Sequence, residues 1–186
     1  PAFGRLGRVS DLPNLDGAAW SLDASDGDIL FGGSEEYCYY YYYCDYSGFT
    51  SRLDADGGLD AAFAAAKLDE ISVRDVATLP DGKAVAVGTR HGNPEALVVF
   101  RLNTNGTLDT GFGTGGIAEL PVPPDTHAQG TALALEPDGR ITVAGLQGGK
   151  LVLARLLPAG TLDTSFGTGG TFVWETAIAS YPPPKL

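Results

Sequence analysis

The sequence predicts an all-β fold of the propeller type, with three four-stranded antiparallel blades. Two observations lead to this fold class. The 186-residue chain contains 26 glycines and 12 prolines, clustered between short apolar runs, as a fold with many short strands and turns requires. A pattern of strand, turn and strand also recurs three times, and such self-similarity is typical of repeat architectures. We therefore expect a single repeat domain spanning residues 1–186.

Each repeat is predicted to begin with a hairpin. The turns fall at Asp26-Gly27, Asp81-Gly82 and Asp138-Gly139, because Asp-Gly pairs supply the positive φ angles of a tight turn. A third strand then ends in Arg-Leu, a Gly-containing turn leads to the motif Leu-Asp-x-x-Phe, and a Gly-rich turn opens a fourth strand. Four short antiparallel strands in each unit make one propeller blade.

The third strand of each unit ends in an arginine that lies eight residues before the aspartate of the motif. The three pairs are Arg52 with Asp60, Arg101 with Asp109, and Arg155 with Asp163. The turn between them could return the carboxylate alongside the guanidinium, and a hydrogen-bonded pair would fix the register of the strands. Because the pair is present in every unit, we interpret it as scaffold and not as catalytic machinery.

One string in the third unit carries a family resemblance. It reads Pro-Asp-Gly-Arg-Ile-Thr-Val-Ala-Gly, then Leu-Ala-Arg-Leu, then Gly-Thr-Leu-Asp-Thr-Ser-Phe-Gly-Thr-Gly-Gly, within residues 137–170. This resembles the bacterial delta-60 repeat family, and the resemblance covers nearly the whole chain but is degenerate in the first unit. It implies propeller-like domains of large secreted or cell-surface proteins, mostly without an assigned activity.

The alignment of the units gives their limits. We expect a blade remnant at residues 1–15, a first blade at 16–72, a second at 73–124, a third at 125–175, and a strand with a Pro-rich tail at 176–186. The two ends align with the outermost and the innermost strand of a blade, so a fourth blade would be split. The chain could be a fragment of a longer protein, pair with copies of itself as a closed oligomer or a filament, or form a small irregular barrel.

One stretch of the first unit departs from the repeat pattern. Six of the eight tyrosines of the chain lie within residues 37–43. Cys38 and Cys44 flank five of them, and so close a pair predicts a disulfide that rigidifies the tip of a loop. Tyrosine offers a large contact area at a low entropic cost, so the loop is predicted either to bind a protein, a glycan or another subunit, or to fold back onto its own blade. The candidate binding residues are Tyr37, Tyr39, Tyr40, Tyr41, Tyr42, Tyr43 and Tyr46.

Charge and composition restrict the class of partner. The formal net charge of −11 opposes binding to nucleic acid, because that affinity comes largely from basic side chains. No apolar run reaches the roughly 20 residues of a spanning helix, so we expect no membrane insertion. The chain shows no signal peptide and no methionine, and we expect a processed or excised piece. A disulfide indicates an oxidising compartment, and we expect a secreted or cell-surface bacterial protein.

Few residues suggest a metal or catalytic site. Asp54, Asp56 and Asp60 surround a Gly turn and resemble a weak calcium loop, but the sister loops lack the carboxylates, so turn formation is the better interpretation. His91 and His127 are predicted to be exposed loop residues. No catalytic motif is present, although two carboxylates of a glycoside hydrolase would leave no sequence motif.

These observations predict a non-enzymatic extracellular module that needs no cofactor. It would mediate self-assembly or attachment through the edges of its repeats and through the Tyr-rich loop. Two alternatives stay open. One is a carbohydrate-active enzyme or glycan-binding domain on the same scaffold, and the other is a fragment of a calcium-dependent adhesin.

Overall fold

A computed structural model describes residues 17–24, 27–39, 43–64, 66–121, 123 and 126–174. These residues form three four-stranded antiparallel sheets, and no helix occurs among them. The predicted all-β fold class is therefore confirmed. The strands of the predicted split blade, in residues 1–15 and 176–186, lie outside the described residues. In the described part of the chain, no helix has the length and apolar character needed to cross a membrane.

Each sheet uses four strands that follow one another in the chain. The first sheet contains β1 to β4, the second contains β5 to β8, and the third contains β9 to β12, each in sequence order. The strands are β1 Ala18–Asp23, β2 Ile29–Tyr39, β3 Tyr43–Leu53, β4 Ala66–Asp69, β5 Ile71–Thr78, β6 Ala84–Arg90, β7 Ala96–Leu102, β8 Ile117–Glu119, β9 Ala128–Leu135, β10 Ile141–Gln147, β11 Lys150–Leu156 and β12 Thr171–Val173.

The turn between β5 and β6 shows why the Asp-Gly pairs recur. Gly82 has a φ of 78°, a conformation that costs glycine little. The Asp81 carboxylate accepts a hydrogen bond of 3.2 Å from the Lys83 amide. Only the glycine of this pair has a positive φ, whereas positive φ angles were predicted for the pair. The aspartate instead holds the turn through its side chain.

The hydrophobic core lies between successive sheets. The cluster between the first and second sheets includes Leu30, Val73 and Phe100. The cluster between the second and third includes Val87, Val99 and Val143. The second sheet is buried on both faces, because another sheet packs on each side of it. Since side chains alternate between the two faces, its strands β6 and β7 are apolar almost throughout. Each sheet thus packs on the next as a blade does.

The innermost strands β1, β5 and β9 lie side by side, and one carboxylate joins all three. Each strand has an irregularity in its pairing with the next strand of its own sheet. Oδ1 of Asp75 accepts hydrogen bonds from the Ser21 hydroxyl at 2.6 Å and the Val76 amide at 3.0 Å, and Oδ2 accepts one from the Leu133 amide at 2.8 Å. Asp75 therefore links the first sheet to the third.

The start of the second blade differs from the sequence prediction. The second blade begins with β5 at Ile71, so the predicted boundary between residues 72 and 73 falls inside a strand. The preceding residue Glu70 makes the turn with a φ of 60°, and no glycine marks it.

Candidate functional site: the first-blade hairpin and its acidic cleft

The Tyr-rich stretch is mainly a β-ladder and not a loop. Strands β2 and β3 contain 11 residues each, whereas the equivalent β6 and β7 contain seven. Their pairing continues without a break to Tyr39 opposite Tyr43. We call β2 and β3 the first-blade hairpin. The predicted loop is wrong for residues 37–39 and 43–46, because tyrosine is favoured in strands and the pairing of β2 with β3 extends through these residues. Tyr40, Tyr41 and Tyr42 lie outside the described residues.

The tyrosines of the hairpin do not share one role. Tyr37 is 63% exposed. Tyr46 is instead stacked on His91 of the second blade, with ring centroids 3.6 Å apart and planes at 15°, and its hydroxyl donates to Glu36 over 3.1 Å. Partial burial, followed by this bond to Glu36, raises the pKa of Tyr46 above its usual value. Tyr46 therefore anchors the hairpin to the neighbouring blade, whereas most of the Tyr37 side chain is exposed.

His91 is held between two blades. Only 18% of its side chain is exposed, and its Nδ1 lies 3.2 Å from a Glu95 carboxylate oxygen. Burial lowers the pKa of His91 and outweighs the opposing effect of Glu95. The expectation of an exposed loop histidine is wrong here, because stacking on Tyr46 covers the ring. His127 is 58% exposed, as expected for a loop residue.

An open cleft of about 730 Å³ lies beside the hairpin, where the first and second blades meet. We call it the acidic cleft, since five carboxylates line it and Lys67 is its single fully charged cation. Lys67 forms an ion pair with one of these acids, since its Nζ lies 3.0 Å from the Glu35 carboxylate. The field in the cleft therefore favours cationic groups. The lining residues are Glu35, Tyr37, Asp45, Tyr46, Ser47, Lys67, Asp69, Glu70, His91, Gly92 and Glu95.

The ladder register sets Cys38 directly opposite Cys44. Directly opposed residues of antiparallel strands have Cα atoms about 4.5 to 5.5 Å apart, and this separation is within the range that a disulfide spans. The backbone thus permits the predicted bond without rearrangement. A bond at this position would clamp the end of the hairpin.

The recurring arginines and aspartates meet in every sheet. The distance from the arginine Nε to the aspartate Oδ2 is 2.7, 2.8 and 2.9 Å in the first, second and third pairs. Each guanidinium also lies 4.8 to 5.0 Å from the centre of the phenylalanine ring of the motif. Arg52 and Arg101 further donate to backbone carbonyls of the following blade. The pairs thus connect strands, turns and neighbouring blades. Their residues are Arg52, Asp60, Arg101, Asp109, Arg155 and Asp163.

The Asp54 and Asp60 carboxylates of the calcium-like turn accept hydrogen bonds from other groups of the protein. Oδ1 of Asp54 accepts hydrogen bonds from the amides of Asp56 and Gly58, at 3.0 and 2.8 Å. Asp60 accepts from the Ala62 amide at 2.8 Å and from Arg52. These bonds are those of a turn. Among the residues that the structure describes, no group of three or more His, Cys, Asp or Glu side chains is arranged to hold a metal ion.

Sequence reasoning missed the contact of Tyr46 with His91 and the bridging role of Asp75. The stacked rings are 45 positions apart in the chain, and Asp75 bonds to residues more than 50 positions away on both sides. No local pattern records such contacts. The tyrosines and the cysteine pair were the available signal for this part of the molecule.

Comparison with known proteins agrees with the architecture. Residues 79–112 and 136–166 match the family described as "Domain of unknown function (DUF5122) beta-propeller". The two matched segments fall in the second and third sheets. No curated protein matches the chain. Together with the three sheets, the match assigns to this chain a β-propeller repeat domain.

Proposed function

We propose that this chain is a non-enzymatic extracellular binding module that attaches to a partner through the first-blade hairpin and the acidic cleft. The observation that carries the proposal is the extended ladder. Strands β2 and β3 are each four residues longer than the equivalent strands of the second blade, and Tyr37 is 63% exposed at the border of the cleft. Neither of the other two sheets has such an extension.

The construction of the hairpin supports recognition. Its backbone pairing orders the strands before a ligand arrives, so little conformational entropy is lost on binding. The stack of Tyr46 on His91 sets its orientation relative to the second blade. A disulfide between Cys38 and Cys44, which we include in the proposal, would order the tip further and would place the protein in an oxidising compartment.

The lining of the cleft favours one class of partner. Five carboxylates with a single lysine attract a segment that carries Lys or Arg side chains and repel anionic glycans. A cation can also lie against an exposed tyrosine ring. We therefore propose a basic protein segment as the partner. We further propose that the repeats belong to the delta-60 family, since the residues of that resemblance overlap the matched segment 136–166.

A shortened hairpin tests the proposal. Residues 36–46 would be replaced by Gly-Gly, the turn that closes the equivalent hairpin of the third sheet at Gly148-Gly149. The probes are an immobilised peptide of alternating Lys and Gly, a Glu-Gly peptide, and neutral and sulfated glycans. We expect the native protein to bind the Lys-Gly peptide alone and the shortened variant to lose this binding while melting as a folded protein.

Point variants separate contact from folding. Tyr37→Ser should weaken the binding at least fivefold, because it removes aromatic contact area, and Tyr37→Phe should preserve it. Equal binding by the native and shortened proteins would contradict the proposal, as would binding restricted to the acidic peptide or to glycans.

A further inference from the structure

We infer that His91 makes the docking of the first-blade hairpin on the second blade dependent on pH. The neutral ring holds the hairpin in place, whereas protonation of the ring favours release of the hairpin and weakens the binding of a basic segment in the acidic cleft. The release is argued from contacts within the chain, and only its effect on binding rests on the proposed function.

The contacts of the His91 ring fix the position of its proton. Nδ1 lies 3.2 Å from Oε1 of Glu95, and an ionised carboxylate can only accept a hydrogen bond. The neutral ring therefore carries its proton on Nδ1 and none on Nε2. A second proton has to bind at Nε2.

Nε2 of His91 lies where a proton is unfavourable. This atom is buried from solvent, and none of the residues that the structure describes offers it a hydrogen-bond partner. Glu95 stays on the Nδ1 side of the ring, since its other oxygen, Oε2, accepts a hydrogen bond of 3.0 Å from Gln129 of the third blade. A buried donor left unpaired typically shifts an equilibrium roughly fivefold or more. Protonation of His91 therefore favours an arrangement in which Nε2 reaches water.

Movement of Tyr46 uncovers the ring, because Tyr46 is stacked directly on it with ring centroids 3.6 Å apart. Strand β4 pairs with β3 only from Ser47 to Thr50, so the outer part of the hairpin can move without breaking that pairing. The Tyr46 carbonyl also accepts a hydrogen bond of 2.8 Å from the Glu70 amide, at the turn into β5. Loss of the stack and of this hydrogen bond defines the released hairpin.

The charges around His91 act in both directions, and burial decides between them. Glu95 and Glu36 favour the protonated ring and Arg74 opposes it, while burial has the largest effect and lowers the pKa of His91 below 6.5. Because the pKa is lower with the hairpin docked, the docked state is fully stabilised above about pH 6.5 and loses this stabilisation as the pH falls through the lower value. The titratable and charged groups near His91 are Tyr46 and Glu36 of the hairpin, Glu70 at the turn before β5, Arg74 on β5, Glu95 in its own loop, and His127 just before β9.

The test follows the hairpin itself, by amide hydrogen exchange of the full chain between pH 7.5 and 5.0. Ordinary carboxyl groups stay mostly ionised in this range. The readout is the protection factor of the Glu70 amide, which corrects the exchange rate for the intrinsic effect of pH. We expect this factor to fall roughly fivefold or more, over the same pH range in which the ring signals of His91 titrate in NMR spectra of the native protein.

Two variants separate His91 from the other titrating groups. His91→Phe keeps a ring on Tyr46 and removes the titrating nitrogens, so its protection factor should be the same at both pH values. His127→Gln is the control, because His127 is 58% exposed, and it should show the fall of the native protein. The dissociation constant of the Lys-Gly peptide should rise roughly threefold or more at pH 5.0 in the native protein but not in His91→Phe, because the protonated ring adds a positive charge to the cleft and loosens one wall of it.

Each part of the inference has its own contrary result. A protection factor that stays unchanged down to pH 5.0, or an equal fall in His91→Phe, would overturn the release of the hairpin. A native protein that binds the peptide equally well at both pH values would overturn the effect on binding. Absence of peptide binding at either pH would contradict the proposed function alone, because the exchange measurement uses no peptide.

Discussion

Replacing Asp109 with asparagine removes a carboxylate of the repeated pairs that accepts hydrogen bonds from two cationic side chains. This side chain accepts hydrogen bonds from Lys83 at 2.7 Å, Arg101 at 2.8 Å and the Gly111 amide at 3.1 Å. These contacts, with the bond from Lys83 first, lower the pKa of Asp109 from 3.8 to about 2. A lowering of this size corresponds to roughly 2 kcal/mol of folding free energy at neutral pH. We expect Asp109→Asn to destabilise the protein by about that amount in urea unfolding.

The pH dependence distinguishes the ion pairs from simple packing. Because the pKa of Asp109 is lower in the folded than in the unfolded state, its stabilisation is complete above about pH 4 and is lost as the pH falls toward 2. The difference in the free energy of unfolding between the native protein and Asp109→Asn should therefore disappear over this pH range. Glu119→Gln is the control, since Glu119 pairs with Arg90 at the surface of the same sheet and such pairs contribute less than about 1 kcal/mol. The reasoning is refuted if the two variants are equally stable at neutral pH or if the difference persists at pH 2.

Three further predictions concern the scaffold. Gly106→Ala should lower the free energy of unfolding in urea by roughly 2 kcal/mol or more, because Gly106 has a φ of 81° and an added Cβ would lie 2.0 Å from the Ala64 carbonyl oxygen. The control Gly115→Ala, with a φ of 63° and no neighbour within 4 Å of an added Cβ, should lower it clearly less. Equal losses of stability in the two variants would contradict the packing described. Asp75→Ala should destabilise the protein by about 2 to 3 kcal/mol in thermal and urea unfolding. The control is Asp69→Ala, since Asp69 is exposed. A loss of stability no larger than that of the control would contradict the bridging role of Asp75. Excess chelator and added calcium should both leave the melting temperature unchanged, because the Asp54 and Asp60 carboxylates already accept backbone hydrogen bonds; a calcium-dependent rise of several degrees would show that the turn binds the ion.

The strands and their grouping into blades could be predicted because their signals are local. Asp-Gly turns, apolar alternation and the motif Leu-Asp-x-x-Phe lie within a few residues and recur. The start of the second blade could not be found in this way, since Glu70 makes its turn with a positive φ that sequence rules assign to glycine. The turn is held by contacts from elsewhere, as the Glu70 amide donates to the Tyr46 carbonyl and the Glu70 carbonyl accepts from the His91 amide.

The candidate site was predictable in composition but not in form. The tyrosines and cysteines marked the first-blade hairpin, yet tyrosine is compatible with both a loop and a strand, and only the pairing with β3 decides between them. The acidic cleft is assembled from β2, β3, β4 and the turn after β6. Its carboxylates are scattered over 60 positions of the chain, so no spacing in the sequence brings them together.

Amide chemical shifts test most directly the proposed recognition role of the first-blade hairpin and the acidic cleft. The full chain, labelled with ¹⁵N, would be titrated with the Lys-Gly peptide. We predict saturable shifts confined to residues 35–47, 67–70 and 91–95, which contain the lining of the cleft. Saturable shifts at another surface, or no saturation at any residue, would contradict the account.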